Sequence, residues 1–164
     1  MFRWSLAADA WSKSLLSTAE KGGLATPFNT KFSVYYLFAM AGVGLGKCQS
    51  TQGTEMRDLI RNVPIDFQEY RHLLAGVLLT AQLTNEGHQL GYSLVKENVL
   101  KILSLDGPAF LSPDAVDLLN GYAHGGFEAI RDMLSHPPKP AEFLVWYFDD
   151  FISKHCFLDR NWTE

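Results

Sequence analysis

The stretch TKFSVYYLFAMAGVGL, residues 30–45, decides the fold. Its apolar residues cover most sides of a helix rather than one stripe, and Asn29 or Thr30 can cap the amino end through a side-chain oxygen. A helix that is apolar all round is buried, so we expect residues 30–42 to form the central helix. Because the continuous apolar run over 34–45 has twelve residues and a spanning helix needs about twenty, the sequence predicts no membrane span here.

Helical spacing and helix-end signals predict further helices on both sides of the central one. Ser112 and Pro113 are the clearest signal, because a hydroxyl caps well and proline is favoured at the first helical position. Glycines at 121, 125 and 126 predict a kink or a break in the helix that follows. The predicted segments are residues 5–21, a short helical turn at 54–62, and helices over 67–84, about 94–103, 113–134 and 141–155.

No segment shows sustained alternation of apolar and polar residues, which is the pattern of a half-buried strand. We therefore predict an all-α fold, a bundle of five or six helices in a single domain over residues 1–164. The last predicted helix, AEFLVWYFDDFISKH, is apolar around much of its circumference. Such a helix is buried on two sides or contacts a partner chain.

Composition restricts the function classes. The chain has 164 residues, of which 47% are hydrophobic and 20% charged, as in an ordinary globular protein. Cys48 and Cys156 lie far apart, so neither a disulfide framework nor a cysteine-based zinc site is indicated. The amino end, MFRWSLAADAW, is not a secretory signal. We expect a cytoplasmic protein, more in keeping with a binding role than with an enzyme, with no catalytic residues, cofactor or metal site.

The charge distribution suggests a basic face. The net charge is −4, which argues against a purely electrostatic nucleic-acid binder, but residues 1–80 carry a balance of +2 and residues 81–164 one of −6. The cations of the first half could form a stripe that positions a phosphate backbone. An equally simple reading is scattered surface charge paired with nearby acids. The candidate phosphate contacts are Lys31, Lys47, Arg57, Arg61 and Arg71.

Three fragments resemble DndE, the small helical component of bacterial DNA phosphorothioation systems: TPFNTKFSVYYLFAMA (26–41), FQEYRHLLAG (67–76) and YAHGGFEAIRDML (122–134). The resemblance implies a tetrameric helical protein that binds DNA, particularly nicked duplex, beside a cysteine desulfurase and an iron–sulfur partner. Within the first two fragments it implies Lys31 and Arg71 as DNA contacts.

Two functions remain open from the sequence. One is a non-catalytic accessory protein of a bacterial DNA-modification or defence system, which contacts double-stranded or nicked DNA through the five cations. The other is a protein–protein interaction module that acts through its apolar C-terminal helix. Such a module would be an acidic inhibitor or adaptor of a nucleic-acid-binding partner, or would form a homo-oligomer. In that reading the acidic second half imitates nucleic acid.

Overall fold

The computed structural model describes residues 1–16, 28–85 and 91–156. Within these residues the fold is mainly helical with one small sheet. The elements are β1 (Phe2–Ser5), α1 (Leu6–Leu15), α2 (Lys31–Gly44), β2 (Met56–Ile60), α3 (Arg71–Asn85), α4 (Tyr92–Ile102), α5 (Pro113–Met133) and α6 (Pro140–Trp146), with the 3-10 helices Ile65–Tyr70 and Pro108–Phe110 and the π-helical segment Tyr147–Cys156.

The helices α2 and α5 form the centre of the molecule and share the most extensive contact among the described elements. The predicted caps are confirmed. The Thr30 hydroxyl accepts a hydrogen bond from the Ser33 amide at 3.2 Å, and the Ser112 hydroxyl accepts one from the Ala115 amide at 3.1 Å. Each cap satisfies an amide that the first helical turn leaves without a partner.

Glycines allow the backbones of α2 and α5 to touch. A Cβ atom built on Gly126 would lie 1.9 Å from the carbonyl oxygen of Phe38, and one on Gly42 would lie 2.0 Å from that of Tyr122. The expected kink at the α5 glycines is wrong, because α5 runs as one helix over 21 residues. These glycines remove side chains where two helices cross, and the close packing offsets their low helix propensity.

The all-α expectation is only partly right, because β1 and β2 form a two-stranded antiparallel sheet. The predicted helical turn at 54–62 is wrong, since most of that segment is β2 and pairs Arg57 opposite Trp4. Phe2 is fully buried and Trp4 nearly so. The Arg3 amide also donates to the Asn120 side-chain oxygen at 2.9 Å, which fixes the sheet to α5.

The remaining helices follow their apolar patterns with changes at the ends. The helix predicted over 67–84 becomes an α-helix only at Arg71, since residues 65–70 wind as a 3-10 helix. The predicted C-terminal helix exists, but its winding widens to π after α6. The four-residue spacing of Phe143, Tyr147 and Phe151 keeps all three rings in the core.

One sequence prediction falls outside the described residues, namely the extension of the first helix beyond residue 16. Across the described ranges, no helix combines the length and apolar character that crossing a membrane requires.

Candidate functional site

Two of the predicted phosphate contacts, Lys31 and Arg57, meet at one buried carboxylate. The Lys31 ammonium lies 2.6 Å from one oxygen of Asp9, and the Arg57 guanidinium lies 2.6 Å from the other. The Asp9 side chain is only 4% exposed. Burial alone raises the pKa of Asp9, but the hydrogen bonds and charges of Lys31 and Arg57 lower it below its ordinary value. Both cations therefore have a structural partner that the sequence did not reveal.

The other three candidates lie on separate elements. Lys47 follows the carboxyl end of α2, so the length of that helix, about 20 Å, separates it from Lys31. Arg61 is exposed directly after β2. Arg71 begins α3 and holds its guanidinium carbon 4.3 Å from the centre of the Phe110 ring, a cation–π distance. The structure thus brings together two of the five cations and distributes the rest.

A groove between α3 and α4 forms an apolar concavity with a volume of about 570 Å³. The helices α3 and α4 form its two sides, and the loop between α4 and α5 closes one end. The side chains that line it are almost all apolar. They include Ala75 and Leu79 of α3, Val99 and Leu100 of α4, and Leu103, Leu105 and Phe110 of the loop that follows.

Several leucines around the groove face solvent. Leu100 is 71% exposed, Leu103 is 40% exposed and Leu105 is 90% exposed. Single exposed leucines are common in monomeric proteins, but a cluster around a concave apolar surface is typical of an interaction site. Burying one such side chain contributes about 1.5–3 kcal/mol to binding.

Backbone strain shapes the closed end of the groove. Ala109 and Phe110 are consecutive residues with φ of 56° and 60°, in the left-handed region that side chains other than glycine adopt at a cost of about 1–2 kcal/mol each. Hydrogen bonds hold the loop: the Ser104 amide donates to the Phe110 carbonyl and the Ser112 amide to that of Ile102, both at 2.8 Å. Strain of this kind concentrates at binding sites, and here it places the Phe110 ring in the groove wall.

The same end of the groove favours negative charge. His72 lines the groove, and Arg71 at the start of α3 stacks on Phe110. The loop from Leu103 to Phe110 adds one acid, Asp106, against these cations.

The C-terminal helix, the predicted docking surface, has a smaller apolar face. Its large rings are mostly in the core, and Val145 and Phe148 remain 62% and 59% exposed. Sequence reasoning missed the α3–α4 groove, because its leucines have the spacing of core residues. One signal in the sequence could have revealed the groove. Leucines at 100, 103 and 105 form a second row, which is more than α4 needs for one buried face.

Within the described ranges, no group of three or more His, Cys, Asp or Glu residues is close enough to share a metal ion. Comparison with protein-family models, curated proteins and solved structures finds no match to this chain.

Proposed function

We propose that the protein is a non-catalytic interaction module that binds an amphipathic helix of a partner protein in the groove between α3 and α4. One observation carries this proposal: Leu100 and Leu105 are largely exposed at the edge of an apolar groove. A cleft between two antiparallel helices has the shape that accepts a third helix, with apolar anchors spaced by three or four residues.

The charges favour a partner helix with acidic residues at one end. Arg71 and His72 lie where the groove closes. Acidic side chains on the partner would pair there while its apolar residues cover Leu100 and Leu103. Complementary charge of this kind sets the orientation of a bound helix more than its affinity.

A display library of helical peptides, selected against the full chain, tests the proposal. We expect the selected peptides to carry Leu, Ile or Phe at positions i, i+3 or i+4, and i+7, with acids at one end. Leu100→Glu and Leu105→Glu should each weaken binding by about tenfold or more, because a carboxylate replaces a leucine that the bound helix would bury.

Val145→Glu is the matched control, since it places the same charge on the exposed face of α6. It should leave peptide binding unchanged. Loss of binding in Val145→Glu with full binding in Leu100→Glu would show that the peptide binds the C-terminal helix, and would contradict binding in the groove. Light scattering on the full chain tests whether the groove binds a second copy of this chain rather than another protein. Self-association through the groove would be abolished by Leu100→Glu.

DNA contact is a second candidate, favoured by the Lys31–Arg57 pair. Two cations share one carboxylate and each remains about half exposed, which leaves one positive charge at the surface. Lys47 and Arg61 would extend this contact along a phosphate backbone, as in an accessory protein of a DNA-modification or defence system.

Mobility shift on intact and nicked duplex at two salt concentrations tests DNA contact. Binding that falls steeply with salt is expected, with a smaller slope in Lys47→Glu and in Arg61→Glu and an unchanged one in Lys139→Glu. These exposed positions are better choices than Arg57, because Arg57→Glu would place a second acid against buried Asp9. Absence of salt-dependent binding to either duplex would exclude the DNA function.

A further inference from the structure

Two strained residues stand in the loop that closes the groove between α3 and α4. Ala109 and Phe110 have φ of 56° and 60°, where glycine is unstrained and other residues are not. Strain of this kind persists only where the surrounding structure enforces it, and it points to a function of the strained residues. Glycine at position 110 would relieve the strain but would remove the ring. The position of the Phe110 ring is therefore the feature that the strain maintains.

The loop is tightly folded, so the ring has one fixed place. The Phe110 amide donates to the Gly107 carbonyl at 3.1 Å, and a Cβ atom on Gly107 would lie 1.8 Å from the Leu111 carbonyl oxygen. The Ser112 hydroxyl donates to the Lys101 carbonyl at 2.7 Å, which joins the base of the loop to the end of α4. These contacts stabilise the strained conformation and hold the ring in the groove wall.

Arg71 lies over this ring. Its guanidinium carbon is 4.3 Å from the ring centre, a distance at which stacking and cation–π attraction orient the side chain. Across the described ranges the Arg71 guanidinium forms no hydrogen bond and no ion pair, and exposed Asp106 of the same loop does not pair with it. Stacking uses the flat face of a guanidinium and leaves the N–H groups at its edge available to an acceptor.

The groove determines which anion fits these N–H groups. A phosphate backbone is held by several cations, whereas the side chains beside Arg71 are almost all apolar. A planar guanidinium pairs with a carboxylate through two parallel hydrogen bonds. Arg71 precedes Ala75 of the groove wall by four residues, or about 6 Å along α3. A helix in the groove would therefore bring an acid to Arg71 if the acid lies one turn, about three or four residues, from the last apolar anchor.

We propose that Arg71 recognises one carboxylate side chain, Asp or Glu, of the helix that binds in the groove, and that Phe110 is the positioning residue for this contact. The inference rests on the proposed function and adds a requirement to it. A single acid at a fixed spacing from the anchors is needed, rather than acidic character at one end. Arg71 then determines specificity, and the strained loop supplies the surface on which it stacks.

A double-mutant cycle between protein and peptide tests the contact. The probe is a helical peptide selected against the full chain, amidated at its carboxyl end and prepared with Glu or Gln one turn from the last anchor. By calorimetry, the Gln peptide should bind the wild type about tenfold more weakly than the Glu peptide, but Arg71→Gln should distinguish the two by about twofold or less. Arg71→Lys should retain a preference of about threefold or less, because an ammonium lacks the planar fork. An undiminished preference for Glu in Arg71→Gln would overturn the proposal.

Two substitutions at position 110 test the positioning role. Phe110→Tyr keeps the ring and should keep a preference for Glu of about tenfold. Phe110→Leu keeps the wall apolar, so the Gln peptide should bind within about twofold of the wild type, while the preference for Glu falls to about threefold or less. Arg61→Gln is the matched control, since it removes an exposed guanidinium outside the groove, and it should leave the preference unchanged. A full preference in Phe110→Leu would make Phe110 a packing residue only.

The same peptides separate this inference from the proposed function. Peptide binding that Leu100→Glu does not weaken would refute the groove as the binding site, and the proposed function with it. Binding that Leu100→Glu abolishes, but that does not distinguish Glu from Gln, would overturn the role of Arg71 alone.

Discussion

Gly42 of α2 and Gly126 of α5 face each other so closely that a Cβ atom on Gly126 would lie 2.5 Å from the Gly42 amide nitrogen. Backbone, rather than side chain, is in contact at this crossing. Because backbone atoms cannot rotate away as side chains do, the crossing tolerates no added methyl group.

Gly126→Ala should therefore destabilise the fold by about 3 kcal/mol or more through overpacking of the two helices. Gly76→Ala is the matched control, since no atom lies within 4 Å of a Cβ atom at that position of α3. It should stabilise the fold by about 0.5–1 kcal/mol through helix propensity. Urea unfolding monitored by circular dichroism measures both, and equal effects of the two substitutions would contradict the close crossing.

The ion pairs of Asp9 predict a pH dependence of stability. The folded pKa lies below the ordinary value of 3.8, although burial opposes this. The stabilisation is therefore present above that value and is lost as the pH falls through the folded pKa. Asp9→Asn should cost about 1–3 kcal/mol at neutral pH and should flatten the stability profile between about pH 5 and pH 2.

Asp58→Asn is the control for that profile, because Asp58 is an exposed acid on β2. Its stability should stay within about 0.5 kcal/mol of the wild type, with the wild-type slope in acid. An acid slope that survives in Asp9→Asn would assign the effect to another carboxylate.

Asn120 joins three parts of the chain. Its side-chain oxygen accepts from the Tyr35 hydroxyl and from the Arg3 amide, both at 2.9 Å, and its nitrogen donates to the Met1 carbonyl at 3.1 Å. Burial, with a smaller effect of the Asp117 charge, raises the pKa of Tyr35 well above its usual value, so its hydroxyl remains a donor.

Asn120→Ala should cost about 2–4 kcal/mol, because two buried donors lose their acceptor together. Tyr35→Phe removes one donor and leaves the Arg3 bond in place, so it should cost about 1 kcal/mol. Chemical denaturation of both variants makes the comparison. A cost for Asn120→Ala no larger than that of Tyr35→Phe would rule out the shared role.

The groove between α3 and α4 should bind a hydrophobic fluorescent dye in the native protein. Leu100→Glu and Leu105→Glu should reduce the dye signal by at least half, and each should change stability by no more than about 0.5 kcal/mol because both side chains are exposed. Val145→Glu should leave the signal unchanged. A signal lost only in Val145→Glu would place the apolar surface on α6.

Local signals predicted the long helices well. The cap at Ser112 and the apolar run after Thr30 are short-range features, and the structure confirms both. The sequence did not predict the sheet, because β1 has four residues and its partner strand lies more than fifty residues away. The alternation of buried Phe2 and Trp4 around Arg3 is real, but it is too short to distinguish from chance.

The site was harder to predict than the fold. Glycines at 42, 121, 125 and 126 indicated helix ends or breaks when each helix was considered alone. The crossing of α2 with α5 explains Gly42 and Gly126, and the close approach of the segment after α2 explains Gly121 and Gly125. The partner of Lys31 and Arg57 is an acid that precedes them by more than twenty residues. Long-range pairing of this kind leaves no periodic trace in a sequence.

The pairing of Arg3 with Asn120 also has a consequence for biosynthesis. The two residues are 117 positions apart, so β1 cannot reach its final place until α5 has left the ribosome. At the usual rates of translation this delay is about 6–25 s. During that time Phe2 can already pack against Phe32 and Tyr35 of α2, whereas the Arg3 amide still lacks the Asn120 oxygen that accepts from it.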